Sequence, residues 1–351
     1  MKITSLPAGS GDCFVIEWGN TRRIMIIDGG RAGCFTKHLK PYLEQLAGEG
    51  IKQIELAVAT HIDEDHMQGL IQLVKESDTL PVSLNEIWFN GLPQLPSDGA
   101  QILSVKQGEE LSKLLSDGAI PWNSQFNGDA VMVPDDGEFP VFNMVDGMTV
   151  TVLSPGLNEM LELSKKWNQE VGSNILFIET LAASKKKPPA QTPLQIDVWS
   201  QTEWVRADVG ATNLSSITCL LEHDGKLALF TGDADPVLVL SAWQRLQAKR
   251  KNLKNRRLDF LKLNHHGSRK NCSPELIAAL KPKVVLVSSD GSIYGHPEKE
   301  ALSYVIQNSP GVELVFNHDN EYTSPWVDNA EQDKWGYSAY AGNSFGVEVE
   351  L

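Results

Sequence analysis

Short apolar runs recur along the chain, and several of them end in a polar or titratable residue. Arg23-Ile24-Met25-Ile26-Ile27 runs into Asp28, Leu56-Ala57-Val58-Ala59 into His61, and Leu227-Ala228-Leu229-Phe230-Thr231-Gly232 into Asp233. Leu258-Asp259-Phe260-Leu261-Lys262-Leu263 runs into His265, Val284-Val285-Leu286-Val287 into Ser288 and Ser289, and a further strand is read over Ile217 to Leu221. Such runs, bounded by turn signals, predict buried strands. Apolar residues at helical spacing predict helices over Lys37 to Leu46, Gly69 to Lys75, Val237 to Gln247 and Pro274 to Leu280. The alternation predicts an α/β chain whose strand ends converge on one edge, where polar groups gather over a rigid apolar base.

Two segments break this rhythm. Residues from about 91 to 147 contain a predicted helix over Gln107 to Leu115 among Pro, Gly and Asp. Residues from about 156 to 212 hold another helix and the loop tip Lys185-Lys186-Lys187-Pro188-Pro189. Both fall between core strands, so they read as insertions beside the site, a lid or substrate wall within one domain spanning residues 1–351.

Composition narrows the class. The chain has 351 residues with 41% hydrophobic and 22% charged positions, enough for one large globular core. Met1-Lys2-Ile3-Thr4-Ser5-Leu6-Pro7 lacks the apolar core of a signal peptide and no later stretch reaches membrane-spanning length, so a cytoplasmic protein with no membrane partner is expected. Cys13, Cys34, Cys219 and Cys272 form no CxxC pair and read as reduced, mostly buried thiols. A net charge of −14 argues against a surface that grips nucleic acid as a whole. The run Lys249-Arg250-Lys251 with Lys254, Arg256 and Arg257 reads as a solvated helix end in preference to a binding patch.

The chemistry concentrates in Thr60-His61-Ile62-Asp63-Glu64-Asp65-His66-Met67-Gln68-Gly69. In a segment turning from strand to helix, His61 and Asp63 point one way and can meet one ion, while Asp65 and His66 can meet another. A helix cap would account for one carboxylate but gives His61 and His66 no role. Imidazole and carboxylate ligands suit zinc, manganese or iron, and a pair of such ions makes water a nucleophile at neutral pH. Further patches supply what this cluster lacks: Ala8-Gly9-Ser10-Gly11-Asp12-Cys13, Asp28-Gly29-Gly30, Asn213-Leu214-Ser215-Ser216, Thr231-Gly232-Asp233-Ala234-Asp235, Leu263-Asn264-His265-His266-Gly267-Ser268 and Tyr294-Gly295-His296-Pro297.

In this order the patches resemble the metallo-β-lactamase fold superfamily, and within it the hydrolase domain of the ComEC competence proteins. The resemblance rests on "GSGDCFVIE", "IIDGG", "THIDEDHMQGL", "NLSSITCLLE", "GKLALFTGDAD", "LKLNHHGS" and "YGHP", and it takes in five of the eight histidines. It implies a four-layer αββα sandwich with two divalent metal ions, Zn or Mn, at one edge. By the same resemblance, His61 and Asp63 ligate the first ion, Asp65, His66 and His296 the second, and Asp233 bridges them. Asp28 becomes the acid that orients a ligand such as His61. Of His265 and His266, one ligates metal and the other contacts the scissile group.

The chain departs from the superfamily's common HxHxDH pattern, with Asp63 in place of the second His. Where a further His usually precedes the bridging Asp it has Asn213, Ser215 and Ser216, and His223 reads as a surface residue. The oxygen-richer first site shifts preference toward manganese or leaves that site weakly occupied by zinc. The resemblance implies hydrolysis by a metal-bound hydroxide, with Asp63 or Asp65 taking the proton and His265 or His266 assisting the leaving group. A phosphodiesterase or nuclease acting on DNA, RNA or a nucleotide is the leading expectation. An ester, lactone or thioester hydrolase, and a metal-binding scaffold without turnover, are the alternatives. Trp122, Trp167, Trp199 and Trp204 are candidate base-stacking platforms, although packing of the insertions is the better reading of each.

Overall fold

The computed structural model describes residues 1–96, 106–171, 186–206 and 209–351, so Lys185 of the expected loop tip lies outside the described residues. The strands β1 (Lys2–Ser5), β2 (Phe14–Trp18), β3 (Arg23–Ile27), β4 (Gln53–Val58), β5 (Ser83–Leu84) and β6 (Ile87–Trp88) lie in one sheet. The strands β7 (Val141–Asn143), β8 (Thr149–Ser154), β9 (Thr218–His223), β10 (Lys226–Phe230), β11 (Phe260–Lys262), β12 (Val284–Val287), β13 (Glu313–Phe316) and β14 (Ser338–Ala341) form a second. The last strand, β15 (Val347–Glu350), returns to the first sheet, whose order is β15-β1-β2-β3-β4-β5 with β6 also pairing β4. The second sheet runs β14-β13-β12-β11-β10-β9-β8-β7. It is parallel from β10 to β14 and antiparallel from β7 to β10.

The alternation of side chains along each strand builds the layers. Phe14, Ile16, Met25 and Ile27 face the second sheet, where they share a core with Val150, Val152, Leu220 and Leu229. Val15, Ile24 and Ile26 face the other way, onto helices Lys40–Gly48, Glu64–Lys75 and Lys106–Asp117 through Leu43, Leu70 and Leu111. Strand β4 would break this alternation, but an irregularity in its pairing with β3 makes Met25 face Leu56 while Ile24 faces Ile54. The extra residue, Glu55, lets Ile54 point outward and Leu56 and Val58 point inward. Helices Pro236–Lys249, Pro274–Leu280 and Lys299–Asn308 cover the far side of the second sheet with Trp243, Ile277 and Leu302. The result is the expected αββα sandwich.

The helix read from Gly69 starts earlier, at Glu64, which puts Asp65 and His66 in its first turn. Its approach to the first sheet depends on glycine: a Cβ on Gly69 would lie 1.9 Å from the Gly29 carbonyl oxygen. Gly29 N–H donates to the His66 carbonyl at 2.6 Å and Gly69 N–H to that of Gly30 at 2.9 Å, locking the helix start onto the turn after β3. That turn is no hairpin, since β3 and β4 are parallel.

The two segments expected to be insertions both reach the edge next to His61. Helix Lys106–Asp117 packs against helix Glu64–Lys75. A Cβ on its Gly108 would meet the fully buried Trp167 ring at 2.4 Å and Ile62 at 3.5 Å. Trp122 stacks on Phe89, Trp199 packs on Trp326, and the indole N–H of Trp204 donates to the Arg269 carbonyl at 3.1 Å. All four indoles are engaged in packing or hydrogen bonding within the fold. The basic run is likewise structural in part, with Lys249 paired to Glu138, Arg250 to Glu222, and Arg257 donating to the Lys281 and Pro282 carbonyls. His223, expected at the surface, is buried at the far end of β9, where its Nε2 lies 3.1 Å from the Asp146 carbonyl. All four cysteines are buried free thiols, and among the described residues no helix is long and apolar enough to cross a membrane.

Candidate metal centre

The turns after β3, β4, β10 and β11 meet at one edge. Asp28, in the left-handed region at φ 59°, turns its carboxylate back over the end of β4. Its Oδ1 accepts from Thr60 N–H at 2.8 Å, and its Oδ2 accepts from the Thr60 hydroxyl at 2.8 Å and faces His66 Nδ1 at 2.8 Å. Asp28 therefore orients His66 directly. The His61 ring, the partner expected for it, is reached through Thr60, whose Oγ1 lies 3.0 Å from His61 Nδ1. Both rings thus have Nδ1 engaged and Nε2 turned inward, the usual arrangement of metal-binding imidazoles.

His61, His66 and His266 are all buried, and the Nε2 of each has no hydrogen-bond partner. All three approach one atom, Asp233 Oδ2, at 4.0, 3.5 and 3.5 Å. A buried imidazole nitrogen left unpaired costs about 1–3 kcal/mol, so three of them around one carboxylate oxygen call for a cation. His61, His66 and Asp233 form one group of metal-capable atoms, and Asp65, His66 and His266 a second. Asp63, expected to ligate the first ion, belongs to none of the metal-capable groups among the described residues and stands at the rim, with Oδ2 3.5 Å from His61 Nε2 and accepting from the Thr212 hydroxyl at 3.4 Å. These nitrogen and oxygen donors fit a divalent metal centre.

Two histidines lie differently from the expected placement. His296, expected to close the second site, belongs to none of the metal-capable groups among the described residues. Its ring lies beyond His265, 6.1 Å away centroid to centroid, with Nδ1 unpartnered. His266 instead falls within two of those groups, because the left-handed backbone at His265 and His266, φ 45° and 55°, swings the second ring back toward Asp65. Its Nδ1 lies 2.9 Å from the Ser288 carbonyl at the end of β12, which fixes the N–H on that nitrogen and leaves Nε2 free to ligate. His265 is the more open ring, 26% exposed, with Nε2 3.6 Å from Asp233 Oδ2. Asn213 sits 3.4 Å from its Nδ1, and Ser216 Oγ accepts from Asp233 N–H at 3.3 Å.

Two residues not singled out from the sequence complete the site. Asp12, in the turn between β1 and β2, lies 3.4 Å from His266 Nδ1, while Lys262 of β11 reaches Asp12 Oδ2 at 2.6 Å and Asp233 Oδ1 at 3.3 Å. The Asp12 turn is seated by a bond from its N–H to the Asp65 carbonyl at 3.1 Å. A lysine within an apolar strand was the available signal for Lys262. Asp12 had only its place in a glycine-rich turn, and Thr212 none.

Electrostatics follow from this packing. Burial pushes the Asp233 carboxyl up, but His265, His266, His66 and Lys262 outweigh it and hold the group well below the usual carboxylate range. Burial pulls His66 and His266 down, but Asp233 with Asp28 or Asp12 reverses the sign, raising His66 well above its ordinary value and His266 to about 9. Burial lowers the pKa of His265; Asp233 opposes the shift and His266 reinforces it, so that ring is neutral at pH 7.

The chain belongs to the metallo-beta-lactamase superfamily, whose sequence pattern matches residues 6–291. Members of this superfamily are mostly metal-dependent hydrolases. Solved structures with a similar fold include zinc-bound PqqB from Methylobacterium extorquens, 11% identical with 100% of both chains covered and a TM-score of 0.44. YhfI, a metallo-beta-lactamase fold protein from Bacillus subtilis, is 11% identical with 99% of both chains covered and a TM-score of 0.45. A diphosphatase from the PhnP family is 12% identical, with 100% of this chain and 97% of that chain covered and a TM-score of 0.39. No curated protein matches the chain in sequence.

Proposed function

We propose that the protein is a two-metal phosphodiesterase of the ComEC-like type, acting on a nucleotide or a short single strand of DNA or RNA. The observation that carries the metal reading is the convergence of the unpartnered Nε2 atoms of His61, His66 and His266 on Asp233 Oδ2. His61, Asp63 and Asp233 would hold one ion, and Asp65, His66, His266 and Asp233 the other. When bound, such ions supply Lewis acidity toward the phosphoryl group and lower the pKa of water.

The chain's own residues do the rest. Asp63, 25% exposed at the rim, is placed to take a proton from the attacking water. The Asn213 amide donates to His265 Nδ1, which puts the ring hydrogen on Nε2, 3.6 Å from Asp233 Oδ2 on a ring that is 26% exposed. From there His265 donates to a phosphoryl oxygen or the leaving oxygen. Arg31, 40% exposed with its guanidinium 3.8 Å from Asp65 Oδ2, adds a cation at the mouth for an anionic substrate. The net charge of −14 favours a small substrate over an extended duplex.

The test is cleavage by metal-free protein reconstituted with Mn2+ or Zn2+, on single-stranded DNA, RNA and bis-p-nitrophenyl phosphate. Cleavage that needs metal and disappears in Asp233→Ala supports the proposal. A fully loaded protein that cleaves none of these but hydrolyses p-nitrophenyl acetate or a thioester would overturn it.

A further inference from the structure

Lys262 is buried in β11 with its side chain 1% exposed. Its ammonium donates to Asp12 Oδ2 at 2.6 Å, to the Gly232 carbonyl at 2.9 Å and to Asp233 Oδ1 at 3.3 Å. All three donors are used, as a buried ammonium requires. The side chain therefore engages one oxygen of Asp233 and leaves the other, Oδ2, as the atom that His66, His266 and His265 surround at 3.5, 3.5 and 3.6 Å. Asp12, Asp233 and His266 are close enough to hold a cation of their own, and the ammonium already bonds two of these three.

We propose that Lys262 is a positioning residue that holds Asp233 between Asp12 and the metal pair, so that Oδ2 alone is presented to both ions. Charge supports the arrangement. Asp12, Asp28, Asp63, Asp65 and Asp233 bring five negative charges to this edge. Two divalent ions would bring four positive charges, Lys262 brings a buried fifth, and Arg31 adds one at the exposed rim beside Asp65. The proposal rests on the two-metal reading above.

The experiment is Mn2+ titration of wild type, Lys262→Met and Asp12→Asn, followed by calorimetry and electron paramagnetic resonance. Two Mn2+ ions that share one ligand oxygen are exchange-coupled, a signature that a purely structural lysine would not control. Wild type is expected to bind two ions with a coupled spectrum. Lys262→Met frees Asp233 to rotate, so the second Mn2+ should bind about 10- to 100-fold more weakly and the coupling should fall. Asp12→Asn, which weakens the hold on the ammonium, should shift both in the same direction by less; it carries the test if the Met variant does not fold. Wild-type affinities and coupling in the variants would overturn the role of Lys262 and leave the metal reading intact. A wild type that binds no Mn2+ would overturn both.

Discussion

Asp28→Asn probes the link between the turn after β3 and the metal centre. The asparagine keeps the shape of the side chain, and its Oδ1 can still accept from Thr60 N–H. Its amide nitrogen, however, replaces the oxygen that faces the Thr60 hydroxyl and His66 Nδ1, each at 2.8 Å. Two donors then confront a third donor in a site where Asp28 is 1% exposed. A hydrogen bond to a charged group contributes about 1.5–3 kcal/mol, so the metal-free variant should lose about 2–4 kcal/mol of stability after partial rearrangement. Freed from its acceptor, the His66 ring no longer fixes Nε2 toward Asp233, and metal affinity should fall about 10- to 100-fold, which is about 1.4–2.7 kcal/mol. Urea denaturation in EDTA reads the first quantity and calorimetric titration with Zn2+ or Mn2+ the second. A variant with unchanged stability and metal affinity within twofold of wild type would refute the placement of Asp28 behind His66.

Three further outcomes are expected. His266→Ala should lose one ion while His296→Ala keeps its full complement, as read by mass spectrometry of metal content; the reverse result would restore His296 as the ligand. His266 is raised from 6.5 to about 9, so the stability it contributes to the metal-free protein is present below pH 6.5 and lost as pH rises through 9. The loss should be on the order of 2–3 kcal/mol in urea melts with EDTA, and a flat profile would count against the ion pairs around Asp233. Gly69→Ala places a Cβ 1.9 Å from the Gly29 carbonyl oxygen. It should cost about 1–3 kcal/mol or more and weaken metal binding, because the displaced helix carries Asp65 and His66.

The α/β alternation is legible because strand and helix signals are local, while the four-layer arrangement comes from the family resemblance. Apolar runs ending at Asp28, His61, Asp233 and His265 did lie side by side with their polar ends at one edge. The apolar spacing of helix Glu64–Lys75 begins only at Gly69 because its first turn is polar, and that turn carries Asp65 and His66. Ligand identity within the Asn264-His265-His266-Gly267 turn was not legible, since it depends on left-handed backbone at two successive non-glycine residues. His296 carries the same imidazole and sits nearby, so residue type could not separate it from His266. Asp12 and Lys262 meet across the two sheets, a contact between residues 250 positions apart that no local pattern encodes. The loop containing Thr212 and Asn213, read as the place of a missing histidine, holds polar groups against Asp63 and His265 instead.

The central claim is that Asp233 Oδ2 is the shared anchor of two metal ions. Its most direct test is metal stoichiometry by inductively coupled plasma mass spectrometry and calorimetry, on metal-stripped and reloaded wild type beside Asp233→Ala. Two divalent ions per chain are expected for wild type, and at most one, weakly bound, for the folded variant. A folded wild type that retains no divalent ion, or an Asp233→Ala protein that holds two with wild-type affinity, would contradict it.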